Sequence, residues 1–199
     1  MNDAAVHVRL LGGFAVSVNG LPIPEDKWKS RRARSLVKLL ALAPGHRLHR
    51  DQVIEALWPE SDFSAAANNF HQTLYAARRI LAAAGSVCLS LKDGLLSLDD
   101  EISVDVEQFE AAAARAKGSQ DPQAYQDALD RYTGDLLPED LYEEWTIQRR
   151  EALRQIYLNL LLDLAHLHEA GQDYPAAIKV LLRLLASDRS REEAHAMGG

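Results

Sequence analysis

The stretch NNFHQTLYAARRIL (residues 68–81) has the spacing of an amphipathic helix whose polar side is chemically unusual. At about 100° per residue, its large apolar residues fall on one stripe. That stripe consists of Phe70, Leu74, Ala77 and Leu81, with Ala66 and Thr73 at its margin. The opposite stripe consists of Asn68, Gln72, Tyr75 and Arg79, flanked by His71 and Arg78. The pattern therefore predicts one face for the core and one face rich in hydrogen-bonding groups.

The polar stripe has the side chains that recognise base edges in a DNA major groove. Asn and Gln pair bidentately with adenine and Arg with guanine, while Tyr and His suit a phosphate or a thymine methyl group. On an isolated helix, such residues are more often ordinary solvent-facing polar groups. The neighbouring sequence decides between these two interpretations.

The flanking residues predict two helices before this one and a hairpin after it. Ser30 can cap a first helix that Pro44-Gly45 ends, and a short second helix covers about 49–58. Asp62 or Ser64 can cap the third helix, which stops at Gly85. The run VCLSLKDGLLSLDD then alternates around Asp93-Gly94, which pairs Leu91 with Leu96 and Leu89 with Leu98. Three helices followed by a hairpin make a winged helix-turn-helix.

Charge divides the chain into two halves. Residues 1–100 carry 12 Lys or Arg against 10 Asp or Glu, whereas residues 101–199 carry 10 against 19, in agreement with the net charge of −7. Within the first half, KWKSRRARSLVK (27–38) has six basic residues and no acidic one. We therefore expect two domains, 1–100 and 101–199, of opposite character.

The two halves also differ in predicted secondary structure. Alternating residues in 6–18, followed by Asn19-Gly20, predict a small antiparallel sheet at the start of the chain. After residue 104 only helical patterns occur: one capped by an Asp105–Gln108 box, one starting at Asp121-Pro122, one from about Glu139 to Ala170, and one from Pro175. A further helix is expected at Arg191. The fold class is thus an α+β winged helix-turn-helix domain followed by an all-α, tetratricopeptide-like domain, mostly α.

Specific segments give this pattern a family resemblance. LVKLLALAPGHRLHRDQVIEALWP and ANNFHQTLYAARRIL resemble the winged helix of OmpR/PhoB-type regulators, and RYTGDLLPEDLYEEWTIQRREALRQIYLNLLLDLA resembles a bacterial transcriptional activation domain. Together they resemble the SARP family (Streptomyces antibiotic regulatory protein) along nearly the whole chain. The resemblance implies a bacterial transcriptional activator that binds double-stranded DNA at repeated half-sites and recruits RNA polymerase. It suggests a possible homodimer on tandem repeats. Because the sequence stops at Gly198-Gly199, just after the helix expected at Arg191, we expect a regulator truncated at its C-terminus; the alternative is a short native protein.

The resemblance also implies which residues contact DNA. The base-contacting candidates are Asn68, His71, Gln72, Tyr75 and Arg79. The phosphate-contacting candidates are Arg31, Arg32, Arg34, Arg78 and Lys92. Ala76 stands where the family often has another basic residue, which weakens the expected grip on the DNA backbone. In related proteins the segment 59–64 contacts RNA polymerase; here it is equally explained as an acidic loop that caps the third helix.

Other function classes have little support in the sequence. No Gly-rich phosphate loop and no set of nucleophile, base and orienting residue occurs, so we expect neither an enzyme nor a cofactor, and we expect no metal site. Cys88 is the only cysteine, and no apolar run is long enough to span a membrane, so we expect a cytoplasmic, nucleoid-associated protein without membrane contact. The alternative function is a protein–protein adaptor that uses both domains without binding DNA.

Overall fold

The computed structural model describes residues 6–98 and 101–196, with side chains described except those of Phe63 and of 188–196. Within these residues, strands β1–β7 are Val6–Arg9, Ala15–Val18, Leu21–Pro22, Arg47–His49, Leu89–Lys92, Leu95–Leu98 and Ile102–Val104. Helices α1–α7 are Arg31–Leu42, Arg50–Leu57, Phe63–Ala83, Asp105–Ser119, Pro122–Arg131, Glu144–Ala170 and Tyr174–Ala196.

The first sheet has the strand order β3-β2-β1-β7. β1 and β2 are antiparallel, and the turn between β2 and β3 places Asn19 and Gly20 at positive φ, as the Asn-Gly pair predicts. β7 pairs with β1 in parallel, with Val8 opposite Val104. Residues 102–104 therefore complete a sheet that begins at residue 6.

The second sheet, of order β4-β6-β5, contains the predicted hairpin. Leu91 lies opposite Leu96 and Leu89 opposite Leu98, so the predicted register is confirmed. Asp93 and Gly94 have φ values of 52° and 78°, the left-handed conformation that a two-residue turn of this kind requires. One face of the hairpin packs against α1 and the core, while the other carries a hydrogen bond of 2.8 Å between the hydroxyls of Ser90 and Ser97.

Helices α1, α2 and α3 pack around the predicted stripe. The hydroxyl of Ser30 accepts from the backbone N–H of Ala33, and the carboxylate of Asp62 accepts from that of Ala65, so both helices begin at predicted caps. The apolar stripe of α3 is buried to 3% exposure or less, which confirms its predicted phase: Phe70, Leu74, Ala77 and Leu81.

Three sequence predictions about the second half are wrong. Asp105 and Gln108 form no capping box: the Asp105 carboxylate accepts from the backbone N–H groups of Leu10 and Leu11, and Gln108 donates to Ser103. The long helix begins at Glu144 rather than Glu139, because a 3-10 turn at Pro138–Asp140 precedes it. The last helix continues through Arg191 to Ala196 without a new start.

A segment of the second half, which we call the junction segment (residues 133–143), lies directly against the first half. Gly12 donates its backbone N–H to the carbonyl of Asp135, and Leu137 donates to that of Leu10. Leu137 is fully buried and has a φ of 45°, which is unusual for a branched residue. The Arg150 guanidinium of α6 donates to the carbonyls of Leu136, Leu137 and Asp140 and thereby holds the segment in place.

Charged groups reinforce the contact between the halves. Lys38 of α1 is 3% exposed, and its Nζ lies 2.5 Å from Asp140 and 3.0 Å from Glu139. Burial alone would raise the pKa of Glu139, but hydrogen bonds from its own backbone, from Lys38 and from the Phe14 N–H lower it overall. Burial raises the pKa of Asp105 despite its three backbone hydrogen bonds. Buried residues of both halves belong to one continuous hydrophobic core.

Candidate nucleic-acid interface

The predicted base-contacting side chains all lie on the solvent-facing side of α3. The five are exposed: Asn68, His71, Gln72, Tyr75 and Arg79. Tyr75 is 66% exposed, although an aromatic side chain in a monomeric protein usually finds apolar cover. The 21-residue helix that carries them is about 31 Å long, from the rise of 1.5 Å per residue. It presents its polar stripe without interruption.

A polar cleft lies beside this face, where the start of α1 and the end of α2 meet α3. Its volume is about 370 Å³, and it is lined by Ser30, Arg32, Trp58, Asn69, Gln72 and Thr73. The Arg32 guanidinium is 5.8 Å from the centre of the Trp58 ring, a cation–π distance that orients the side chain. The structure thus brings a predicted phosphate contact, Arg32, next to a predicted base contact, Gln72.

The other two arginines in the first turns of α1 face acidic side chains. An Nη2 atom of Arg31 lies 3.1 Å from the Glu143 carboxylate in the junction segment. Arg34 lies 3.7 Å from Glu25. Three basic residues that the sequence treats alike therefore occupy three different environments, and only Arg32 of the three lines the cleft beside α3.

The remaining two phosphate candidates lie at the other end of α3 and on the wing. Arg78 is exposed, but its Nε donates to the carbonyl of Leu89 at 3.0 Å and so attaches α3 to β5. Lys92 is exposed beside the hairpin turn. The backbone N–H of Arg50 donates to the carbonyl of Gly94 at 2.7 Å, which fixes the hairpin tip against the start of α2. The wing is thus attached to α3 through Arg78 and to the start of α2 through Arg50.

Sequence reasoning missed four residues of the cleft. It assigns Ser30 only a capping role and places Thr73 only at the margin of the apolar stripe, and it assigns no role to Trp58 or Asn69. The side chain of Asn69 lies about 100° from that of Asn68 on the helix, which turns it toward α1 rather than outward. A helical projection of α3 drawn together with α1 and α2 would have shown that Asn69 faces the cleft.

The loop between α2 and α3 contains the segment 59–64, for which two interpretations were open. Asp62 accepts from the backbone N–H of Ala65 at 2.9 Å, so the capping role is confirmed. Glu60 and Ser61 remain exposed in front of the cap. The proposed contact with RNA polymerase stays a prediction.

Among the side chains described in residues 6–98 and 101–187, no group of three or more His, Cys, Asp or Glu is placed to hold a metal ion. Over the same residues, no helix is long and apolar enough to cross a membrane.

Comparison with known proteins adds evidence at the level of the fold. No family model matches the sequence, and no curated protein matches it. A solved structure, Mycobacterium tuberculosis EmbR in complex with a low affinity phosphopeptide, superposes with a TM-score of 0.76 at 20% identity. The chain has a SARP-like fold. The predicted fold class, a winged helix followed by a helical unit, is confirmed.

The match covers 94% of this chain but 51% of the EmbR chain. This chain therefore spans about half the length of the structure it matches. The phosphopeptide belongs to the EmbR complex, and at this level of identity the likeness concerns the fold of the shared part.

Proposed function

We propose that the chain is a sequence-specific, DNA-binding transcriptional activator whose α3 lies in the major groove. The observation that carries the proposal is the uninterrupted, exposed polar face of α3, with the cation of Arg32 beside Gln72. In winged helix-turn-helix proteins, the third helix contacts bases while preceding segments and the wing contact phosphates. Gln72 and Arg79 supply base contacts here, and Arg32 and Lys92 supply phosphate contacts.

The proposed partners follow from this arrangement. One winged helix buries a small interface, so useful specificity needs two protomers on repeated half-sites about one helical turn apart. The helical half, with its excess of acidic residues, would contact RNA polymerase. The site of action is chromosomal DNA, which corresponds to a nucleoid-associated protein in the cytoplasm. The division into domains 1–100 and 101–199 also stays a proposal.

The test is selection of bound duplexes from a random library, repeated with Gln72→Ala and Arg79→Ala. Each lost bidentate contact should reduce discrimination at one base pair by about 1 to 3 kcal/mol. Arg115→Ala is the matched control, because Arg115 is an exposed arginine on α4 in the helical half. We expect a repeated motif that blurs at a defined position in the two α3 variants and stays unchanged in the control. An unenriched library at low salt would refute DNA binding.

A second candidate, the protein–protein adaptor, is favoured by one observation on α7. This helix exposes large apolar side chains at positions three or four apart: Tyr174, Ile178, Leu181, Leu182 and Leu185, all between 39% and 61% exposed. Such a stripe is typical of a helix that packs against another chain or segment. Salt separates the candidates, because DNA binding falls by orders of magnitude as salt rises whereas apolar docking changes little.

A further inference from the structure

A small apolar patch projects from the start of α6 and has no cover within the described chain. Leu141, Tyr142 and Ile147 are 54%, 87% and 48% exposed. Tyr142 and Ile147 stand immediately before the helix cap Glu143 and four residues after it, the positions whose side chains meet in a hydrophobic staple. The three residues are neighbours at the start of α6, and we call them the Tyr142 patch.

A pocket of suitable character lies elsewhere on the same chain, between the end of α3 and the start of the wing. It has a volume of about 210 Å³ and is lined by Arg78, Leu81, Ala82, Ser86, Val87 and Leu89. Val87 is 86% exposed at its rim. The pocket is almost entirely apolar apart from the Arg78 guanidinium, and it has room for a single aromatic ring. We call it the Val87 pocket.

The two surfaces lie toward opposite ends of α3. The Tyr142 patch is next to Glu143, which pairs with Arg31, and the adjacent Arg32 lines the cleft with Asn69 and Gln72 near the start of α3. The Val87 pocket is formed by Leu81 and Ala82, about ten residues further along, or roughly 15 Å at 1.5 Å per residue. The patch is formed by the junction segment and the start of α6, and the pocket by α3 and the wing, so a contact between them is taken as one between two copies.

Charge complementarity supports a contact between two copies. The exposed carboxylate of Glu144 lies beside the Tyr142 patch, whereas the Val87 pocket contains the cation of Arg78. A second copy that inserts Tyr142 would therefore bring Glu144 close to Arg78. The opposite signs favour this head-to-tail arrangement over patch against patch, which would place carboxylates together.

We infer that Tyr142 of one copy docks into the Val87 pocket of the next copy along the DNA. The inference rests on the proposed function, because the duplex places the copies in a row. One aromatic ring and its rim bury too little area to hold a dimer in free solution. On tandem half-sites the effective local concentration reaches the millimolar range, so a weak contact becomes cooperativity. The contact is heterologous: each copy offers its patch to one neighbour and its pocket to the other.

The test measures binding of the full chain to duplexes with one half-site or two tandem half-sites taken from the selected motif. Tyr142→Ala and Val87→Asn should leave single-site affinity unchanged, because neither residue is among the proposed DNA contacts and neither substitution changes the charge near Arg78. Each variant alone should lose about tenfold in cooperativity on the tandem duplex, the loss of about 1.4 kcal/mol of contact energy. Leu21→Ala, which removes an apolar side chain that is 73% exposed on β3, is the matched control and should retain full cooperativity.

Mixing the two variants makes the test specific for a head-to-tail contact. An equimolar mixture contains one copy with an intact Tyr142 patch and one with an intact Val87 pocket, so it should regain part of the cooperativity. Full cooperativity of Tyr142→Ala would overturn the inference, and so would a mixture that regains nothing. Failure of the wild-type chain to bind even a single half-site would instead refute the proposed function, and this contact with it.

Discussion

The exposed face of α3 and the contact between the two halves use the same kinds of polar side chain in opposite ways. On α3, Gln72 and Arg79 project into solvent. At the junction, the Lys38 ammonium is 3% exposed and lies between two carboxylates. Helix α1 contributes to both places, with Arg32 at the cleft and Lys38 in the interior. One basic run in a sequence can therefore supply a side chain to a solvent-facing cleft and another to the protein interior within two turns of helix.

The contribution of each charged side chain to stability depends on whether it is buried or exposed. A buried ion pair that loses one partner leaves an uncompensated charge in a medium that solvates it poorly. An exposed pair such as Arg31 with Glu143 gains little, because water and salt screen it. Stability should depend on the junction charges, and DNA affinity on the exposed ones. The variants at Lys38, Arg32 and Glu139 test this division between buried charges that stabilise the fold and exposed charges that bind DNA.

The largest effect is expected for Lys38→Met. The substitution keeps much of the side-chain volume but leaves the Asp140 carboxylate, which is 5% exposed, without its cation. We expect the free energy of unfolding to fall by about 3 to 5 kcal/mol, measured by urea denaturation. Arg31→Met is the matched control and should cost less than about 1 kcal/mol. Equal losses in the two variants would contradict the division.

Leu74→Ala tests the buried side of α3. Leu74 is 3% exposed in the core, so its truncation should cost about 2 to 5 kcal/mol of unfolding free energy. Leu182→Ala, at an exposed leucine of α7, should be close to neutral. A loss under about half a kcal/mol for Leu74→Ala would mean that α3 presents a different face to the core than the structure shows.

Arg32→Ala tests the exposed side of α1. Loss of one phosphate contact should lower the slope of log binding constant against log salt by about one unit, with little change in base preference. Arg34→Ala should change the slope less, because Arg34 faces Glu25 rather than the cleft. The measurement is a titration of the selected duplex at several salt concentrations. Identical slopes for wild type and Arg32→Ala would assign Arg32 a purely structural role on Trp58.

The smallest effect concerns pH. Because the folded chain lowers the pKa of Glu139 below its ordinary 4.5, the carboxylate stabilises the fold above that value and loses this contribution as pH falls through the lowered pKa. The free energy of unfolding of Glu139→Gln should therefore fall less steeply than that of the wild type below about pH 4.5. Urea denaturation at a series of pH values measures this difference. Asp105 acts in the opposite sense, since its raised pKa favours the folded state at low pH. A steeper loss of unfolding free energy at acidic pH in Glu139→Gln than in the wild type would contradict the prediction.

Local patterns predicted the first half well, and their success has a physical reason. The Asn-Gly and Asp-Gly pairs specify turns, and the 3.6-residue period of α3 specifies its buried face, because both depend on residues close in sequence. The parallel pairing of β1 with β7 and the bonds of Asp105 to Leu10 and Leu11 join residues more than 90 positions apart. Nothing local distinguishes Asp105 as a partner of a distant backbone from Asp105 as a helix cap, so that prediction failed.

The candidate site was predictable in part. The exposure of all five base-contacting candidates followed from helical phase alone. The different environments of Arg31, Arg32 and Arg34 did not, since they depend on Glu143, Trp58 and Glu25, of which Glu143 lies in the other half. Tertiary partners decide which members of a basic run face a ligand.

The close passage of two glycines has a consequence for how such proteins evolve. At Gly134, which has a φ of 157°, any added Cβ would lie 2.9 Å from the Cα of Gly12, so the two backbones touch where the halves meet. An exchange of N-terminal halves by recombination near residue 100 would have to bring in a matching glycine at position 12 and a cation for Asp140 at once. Under the proposed function, new operator specificity is therefore more accessible by substitution on the outer face of α3 than by exchange of whole halves.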